Sequence, residues 1–262
     1  MTWQTRITPW DLRALVRSAS LTCALLLLAV LVTAATDEGR VAWSERVARA
    51  VPLVPVCAAL GVVLALAGAH RRGEERALEA LGRTPFANAC GAAVGAASVG
   101  AVVALLILLD RYVSITPFFP TVQASGTFVF DHGTFTSTQH GWRVMADGSV
   151  ALAPALAQSS STTDLPPYAR ESAAVVTLVG SAAFALTVAV VPRGHSMRTT
   201  LLLLVTAAAS AVCLQAAASS RVSSLVAPIP STLLLLVAAW GIVRPPWIRI
   251  LRARQIRAPE EV

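Results

Sequence analysis

The chain has 262 residues, 55% of them hydrophobic and only 13% charged, with a formal net charge of +7. An ordinary soluble domain carries about 25% charged residues, so this composition excludes one and points to a membrane protein. All 21 basic residues are Arg; without Lys there is neither a GxxxxGK[ST] phosphate loop nor a Schiff base, so ATP-driven work would need a separate subunit.

In chain order, "TPWDLRALVR" places Thr8 as a helix cap, Pro9 at the first helical position and Asp11 in the first turn, with Arg13 and Arg17 one turn apart beside Trp10. This pattern predicts an interfacial helix that feeds a first span. Charge-free stretches follow at 18–36, 50–69, 84–109, 172–191, 199–220 and 222–243, each close to the roughly 20 residues a helix needs to cross hydrocarbon. Six spans put both termini on one side. The first span lies too deep in the chain, and lacks the small-residue cleavage site, to be a signal peptide. Cys23, Cys57, Cys90 and Cys213 fall inside the spans without CxxC or Cys/His spacing and read as small apolar fillers.

Between the first two spans, "DEGRVAWSERVAR" reads as a short external connection. Arg40, Arg46 and Arg49 with Trp43 suit ordinary anchoring at the headgroup level or contact with an anionic lipid headgroup. Between spans two and three, "AHRRGEERALEALGRTPF" packs seven ionisable side chains, Arg71, Arg72, Glu74, Glu75, Arg76, Glu79 and Arg83, into a short island. From Gly73 to Leu81 the period is helical, with Ala77, Leu78, Ala80 and Leu81 on one side and Glu74, Glu75, Arg76 and Glu79 on the other. Arg71 with Glu75, and Glu79 with Arg83, stand at the i, i+4 spacing that supports a helix. Gly82 can end it in a left-handed conformation, and Thr84 with Pro85 can start the next. A rigid, capped helix joined stiffly to a span is suited to transmit force from a docked partner, where a plain connector would have been flexible.

The segment 110–170 contains "TFVFDHGTFTS" and "WRVMADGSVAL", alternating stretches broken by Asp-His-Gly and Asp-Gly, which predict β-hairpins in a small external module. Asp131, His132 and His140 lack a third ligand at useful spacing and read as exposed turn residues rather than a metal site. "AQSSSTTDLPPYAR" is a linker back to the membrane.

With the N-terminus cytoplasmic, the inside segments hold Arg6, Arg13 and Arg17, the four island arginines, Arg193, Arg198 and the five arginines of the C-terminal tail. That excess fixes the orientation, and positive-inside placement accounts for most of the net charge without nucleic acid. No acid/base pair, GxSxG or HExxH occurs, so no enzyme is expected, and no cofactor or metal is implied. The spans carry no charge, which counts against a proton- or ion-coupled transporter.

The order of two spans, a charged short helix, a third span, an external β module and three more spans resembles the LptF/LptG (YjgP/YjgQ) permeases of the lipopolysaccharide-export ABC transporter. "RRGEERALEALG" is similar to their cytoplasmic coupling helix, and "RESAAVVTLVGSAAFALTVAVVPRGHSMRTTLLLLV" with "LVAPIPSTLLLLVAAWGIVRP" to their last three spans. The resemblance implies an α-helical membrane protein of six transmembrane helices with a small periplasmic β-rich module between helices three and four. It divides the chain into 1–109, with the coupling helix at 70–83; 110–170, the module and linker; and 171–262, the last three spans and a basic cytoplasmic tail.

It further implies a cytoplasmic ABC ATPase partner, a second copy or paralogous permease subunit, an anionic lipid substrate and a periplasmic bridge protein, in a bacterial inner membrane. Glu74, Leu78 and Gly82 would couple to the ATPase, and Arg40 and Arg46 would meet lipid phosphates. About sixty residues hold only a reduced version of the family's periplasmic jellyroll. Competing readings are an FtsX/MacB-like mechanotransmitting ABC membrane subunit, which has four spans rather than six, and a structural membrane protein without transport.

Overall fold

The computed structural model describes residues 8–35, 43–109, 113–119, 128–131, 134–137, 142–145, 147–152, 165–191, 196–219 and 221–243. Its helices are α1 (Pro9–Ala35), α2 (Trp43–Ala50), α3 (Val54–Arg71), α4 (Glu74–Ala80), α5 (Pro85–Leu109), α6 (Ala169–Val190), α7 (Ser196–Ala218) and α8 (Ile229–Val243). Among the described residues, six helical segments are long and apolar enough to cross a membrane: Pro9–Ala35, Glu45–Arg71, Pro85–Leu109, Ala169–Val190, Met197–Ala218 and Ser224–Ile242. The chain is a multi-pass helical membrane protein.

Two boundaries differ from the sequence reading. The expected interfacial helix and the first span are one helix, because no Gly or Pro interrupts α1 after Pro9. The expected external connection is helical from Trp43; α2 runs through a 3-10 turn, Val51–Leu53, into α3. Ala48 and Ala50 of α2 are buried while Glu45, Val47 and Arg49 are exposed, so this helix packs one small-residue face inward.

α6 is the central helix, packed against α3, α5 and α8; α1 lies on α3 and α5, and α7 lies on α8. Small side chains make this possible. Ala58, Val62, Ala92, Ala96 and Ala185 form one buried cluster, and Val54, Ile107, Phe118, Phe119 and Ala173 anchor another. Lipid tails are as apolar as leucine, so close backbone approach rather than water exclusion must hold such helices together. A Cβ on Gly91 would stand 2.6 Å from the Asp11 carbonyl oxygen, and one on Gly95 would overlap the Leu15 carbonyl. These two glycines, four apart in "GAAVG", let α5 and α1 touch backbone to backbone.

Hydroxyls inside the spans bond back to their own helix: Thr22 to the Ser18 carbonyl at 2.9 Å, Thr177 to Ala173 at 2.8 Å and Ser181 to Thr177 at 2.6 Å. No polar group there can look to water. The outer faces carry exposed Leu27, Leu28 and Leu31 on α1, Leu201 and Leu204 on α7, and Leu236 and Trp240 on α8, surfaces suited to hydrocarbon.

α1, α5 and α7 start at the end of the bundle that carries α4, and α3, α6 and α8 start at the other. At that other end Arg170 donates to the carbonyls of Ile107, 2.8 Å, and Val113, 3.3 Å. It thus satisfies the end of α5 from the first turn of α6. Among the described residues four short strands lie between α5 and α6: β1 (Phe128–Asp131), β2 (Thr134–Ser137), β3 (Trp142–Val144) and β4 (Val150–Leu152), antiparallel in the order β1-β2-β3-β4. Phe130 is opposite Phe135, Thr136 opposite Arg143 and Val144 opposite Val150. The β3–β4 turn has Gly148 at φ 79, and the Ser149 amide donates to the Asp147 carboxylate at 2.9 Å.

Candidate functional site

The charged island closes one end of the bundle as a capped corner. α3 stops at Arg71, and Gly73 at φ 70 reverses the chain, its amide donating to the His70 carbonyl at 3.0 Å. α4 then runs for seven residues. Gly82, at φ 85, ends it: the Gly82 amide donates to Glu79 at 2.9 Å and the Arg83 amide to Leu78 at 3.0 Å. This is the paired 5→2 and 6→1 pattern of a Schellman cap, which needs a residue without a Cβ penalty at the left-handed position. Thr84 caps the next helix, accepting from the Ala87 amide at 3.2 Å, and Pro85 opens α5. The cap, the left-handed Gly82 and the Pro85 start stand as the sequence predicts.

The charge pairs do not. Arg71 lies in α3, before the left-handed corner, and Arg83 lies past the cap, so neither keeps helical spacing to Glu75 or Glu79. Arg72 instead forks onto Glu74, with Nε 2.6 Å from Oε1 and Nη2 3.0 Å from Oε2. His70 Nδ1 is 3.4 Å from Glu75 Oε2. The hydrogen bonds from Arg72 hold the Glu74 carboxyl below the usual carboxylate range; slight burial opposes the shift, and the charges of Arg72, Arg17 and Arg13 add to it.

Arg83 crosses to α1. Its Nη2 lies 2.6 Å from Asp11 Oδ1 and its Nη1 donates to Thr8 Oγ1 at 3.1 Å. Thr8 and Asp11 form a reciprocal cap: the Thr8 amide donates to Asp11 Oδ2 at 3.0 Å, and the Asp11 amide donates to Thr8 Oγ1 at 3.3 Å. One guanidinium therefore ties the exit of α4 to the first turn of α1.

The faces of α4 also depart from the helical-wheel reading. Glu75, expected on the solvent side, is 3% exposed, and Leu81, expected on the apolar side, is 81% exposed. Leu78 is half-buried on the bundle side with Glu75, while Arg76, Ala77, Glu79 and Ala80 face away. A seven-residue helix hung between two glycines takes its rotation from those corners rather than from its own weak apolar stripe.

Of the predicted coupling residues, Glu74 is half-buried and forked by Arg72, Leu78 is half-buried, and Gly82 is the exposed cap. Leu81, exposed at the end of α4, has one signal in the sequence: a lone leucine just inside a terminating glycine, outside any span. The Gly91–Gly95 spacing is a small-xxx-small pattern legible in the sequence, and here it marks where α5 meets α1. Arg46 lies half-buried on α2, at the opposite end of the bundle from Glu74, so the structure does not bring the two predicted sites together. Arg40, His132 and His140 lie outside the described residues, as does the tail from 244. All four cysteines are free thiols, and among the described residues no group of three or more His, Cys, Asp or Glu is placed to hold a metal.

Comparison with protein-family models, with curated proteins and with solved structures finds no match to this chain.

Proposed function

We propose that this protein is a permease subunit of an ABC transporter of the LptF/LptG kind, which extracts lipopolysaccharide or a related amphipathic lipid from the inner membrane while a separate ATPase subunit supplies the energy. In this reading both termini and α4 are cytoplasmic, and residues 110–170 are periplasmic, where the strands form a reduced module that meets a bridge protein. A second copy or a paralogous subunit completes the transporter. Arg40 and Arg46 meet the phosphates of the lipid.

The observation that carries the reading is the outward presentation of Leu81, 81% exposed beside Ala77 and Ala80, on a helix too short to be stable alone. Exposed apolar surface outside the spans suits a protein partner. The same helix is joined through left-handed glycines to α3 and α5, and through Arg83 to α1. A push on α4 would thus reach three spans at once, as a coupling element requires. Six long apolar helices, rather than four, weigh against the FtsX/MacB kind.

The test is co-purification of an ATPase subunit with the full chain. Leu81→Glu and Glu74→Arg are expected to reduce recovery roughly thirtyfold or more, because losing one side of a desolvated contact costs about 2–5 kcal/mol. Glu79→Ala should leave recovery within about twofold. If wild-type protein brings down no ATPase, or both variants retain it, the coupling role fails.

A further inference from the structure

A crevice opens beside α4, between α1, α3 and α5, and Trp10, Arg13, Arg17, Arg72, Glu74 and Asn88 supply its polar lining. Its floor is apolar, made by alanines of those three helices together with Leu66. Two features of the lining are unusual. Asn88 is 2% exposed, yet among the described residues neither its amide nitrogen nor its carbonyl oxygen has a hydrogen-bond partner, and the buried indole nitrogen of Trp10 has none there either. Polar groups so placed lose their water without replacement, which is rare unless something else occupies the site.

The charge is also one-sided. Glu74 is taken up by Arg72, whereas Arg13 and Arg17 make no hydrogen bond or ion pair among the described residues. Arg17 is not simply waving in solvent: a Cβ on Gly68 would overlap its guanidinium, so the glycine leaves room for Arg17 to lie along α3. Among the described residues the crevice thus offers two guanidinium groups that make no hydrogen bond or ion pair and share only the Glu74 carboxylate that Arg72 already holds, with an indole N–H and an amide N–H above an apolar floor at the end of three spans.

We infer that this crevice binds an anionic phospholipid of the adjacent leaflet, its phosphate held by Arg13 and Arg17 with donors from Asn88 and Trp10, and an acyl chain descending over the alanine floor. A guanidinium matches a phosphate bidentately, and the amide and indole donors complete its oxygens. The apolar floor is what favours a lipid over a soluble anion or an acidic protein loop, neither of which needs it. The site lies at the opposite end of the bundle from Arg46 and does not depend on α4 docking an ATPase.

Native mass spectrometry of the full chain in neutral detergent, with phosphatidylglycerol or phosphatidylcholine added, tests this. Wild type is expected to keep one phosphatidylglycerol under activation that strips phosphatidylcholine. Arg13→Gln/Arg17→Gln should retain about tenfold less of it, and Asn88→Leu, which keeps the charge, several-fold less. Arg198→Gln, which removes an exposed arginine of α7, should bind as wild type does. Equal retention by wild type and the double variant, or equal retention of the two lipids, overturns the proposal. So does displacement of the lipid by inorganic phosphate at millimolar concentration, which assigns the crevice to a free anion. A double variant that keeps the lipid but loses a co-purifying protein would assign it to that partner instead.

Discussion

Arg83 and Asp11, 72 residues apart in sequence, meet with Nη2 2.6 Å from Oδ1. The contact fastens the corner between α4 and α5 to the first turn of α1. Their side chains are 23% and 21% exposed, between a surface pair, where the median value is about 0–1 kcal/mol, and a buried one, where removing a partner costs about 3–5 kcal/mol.

Arg83→Gln is therefore expected to cost about 1–3 kcal/mol and to lower the midpoint of thermal unfolding in detergent. Arg76→Gln, on the exposed side of α4, should change it by less than about 0.5 kcal/mol. A double-mutant cycle with Asp11→Asn checks the assignment: the two losses should be clearly less than additive. Full additivity would mean that Arg83 acts through something other than Asp11.

Gly95→Ala sets two effects against each other. In a free helix interior the change gains about 1 kcal/mol of propensity, but here the new methyl overlaps the Leu15 carbonyl, and overpacking against backbone costs about 1–3 kcal/mol. The clash wins because neither helix backbone can yield locally. The unfolding midpoint should fall for Gly95→Ala and more for Gly95→Leu, while Val94→Ala on the exposed side of α5 should be nearly neutral. A stabilised Gly95→Ala would show that α1 and α5 do not touch there.

The fork of Arg72 on Glu74 predicts a pH dependence. Because the folded pKa of Glu74 is depressed, its contribution is fully present above the ordinary glutamate value of about 4.3 and is lost as pH falls through the lower folded value. Carboxyl carbon shifts of labelled protein should titrate with a midpoint below that of a free glutamate. Arg72→Gln should raise the midpoint most, since its hydrogen bonds are the leading cause, and Arg13→Gln/Arg17→Gln should raise it less. Added salt should erase the smaller effect first. An unmoved midpoint in Arg72→Gln would dissolve the fork.

The proposed orientation places Ser137 outside and α4 inside. In a chain whose four cysteines are replaced, Ser137→Cys should react with an impermeant maleimide added outside intact cells, and Arg76→Cys should react only after the membrane is opened. The reverse pattern inverts the topology and removes α4 from the reach of a cytoplasmic ATPase.

Six spans, the Thr8 cap, the left-handed Gly82 and the Pro85 start were legible in the sequence because each depends on local chemistry: charge-free length for the spans, and a cap, a missing Cβ or a fixed φ for the corners. Even the Gly91–Gly95 spacing was there to be read. The partners of the island's charges were not. Glu79 and Arg83 have helical spacing in the chain, but the Gly82 turn breaks the helix between them and sends Arg83 to α1. Glu75 and Leu81 exchanged their expected exposures because a seven-residue helix is rotated by the corners that hold it. The crevice of Arg13, Arg17, Trp10 and Asn88 draws on helices separated by some seventy residues, and nothing in either segment marks the other. Only the close approach of α1 to α5, set by glycines facing backbone carbonyls, brings a buried amide and two arginines to one place.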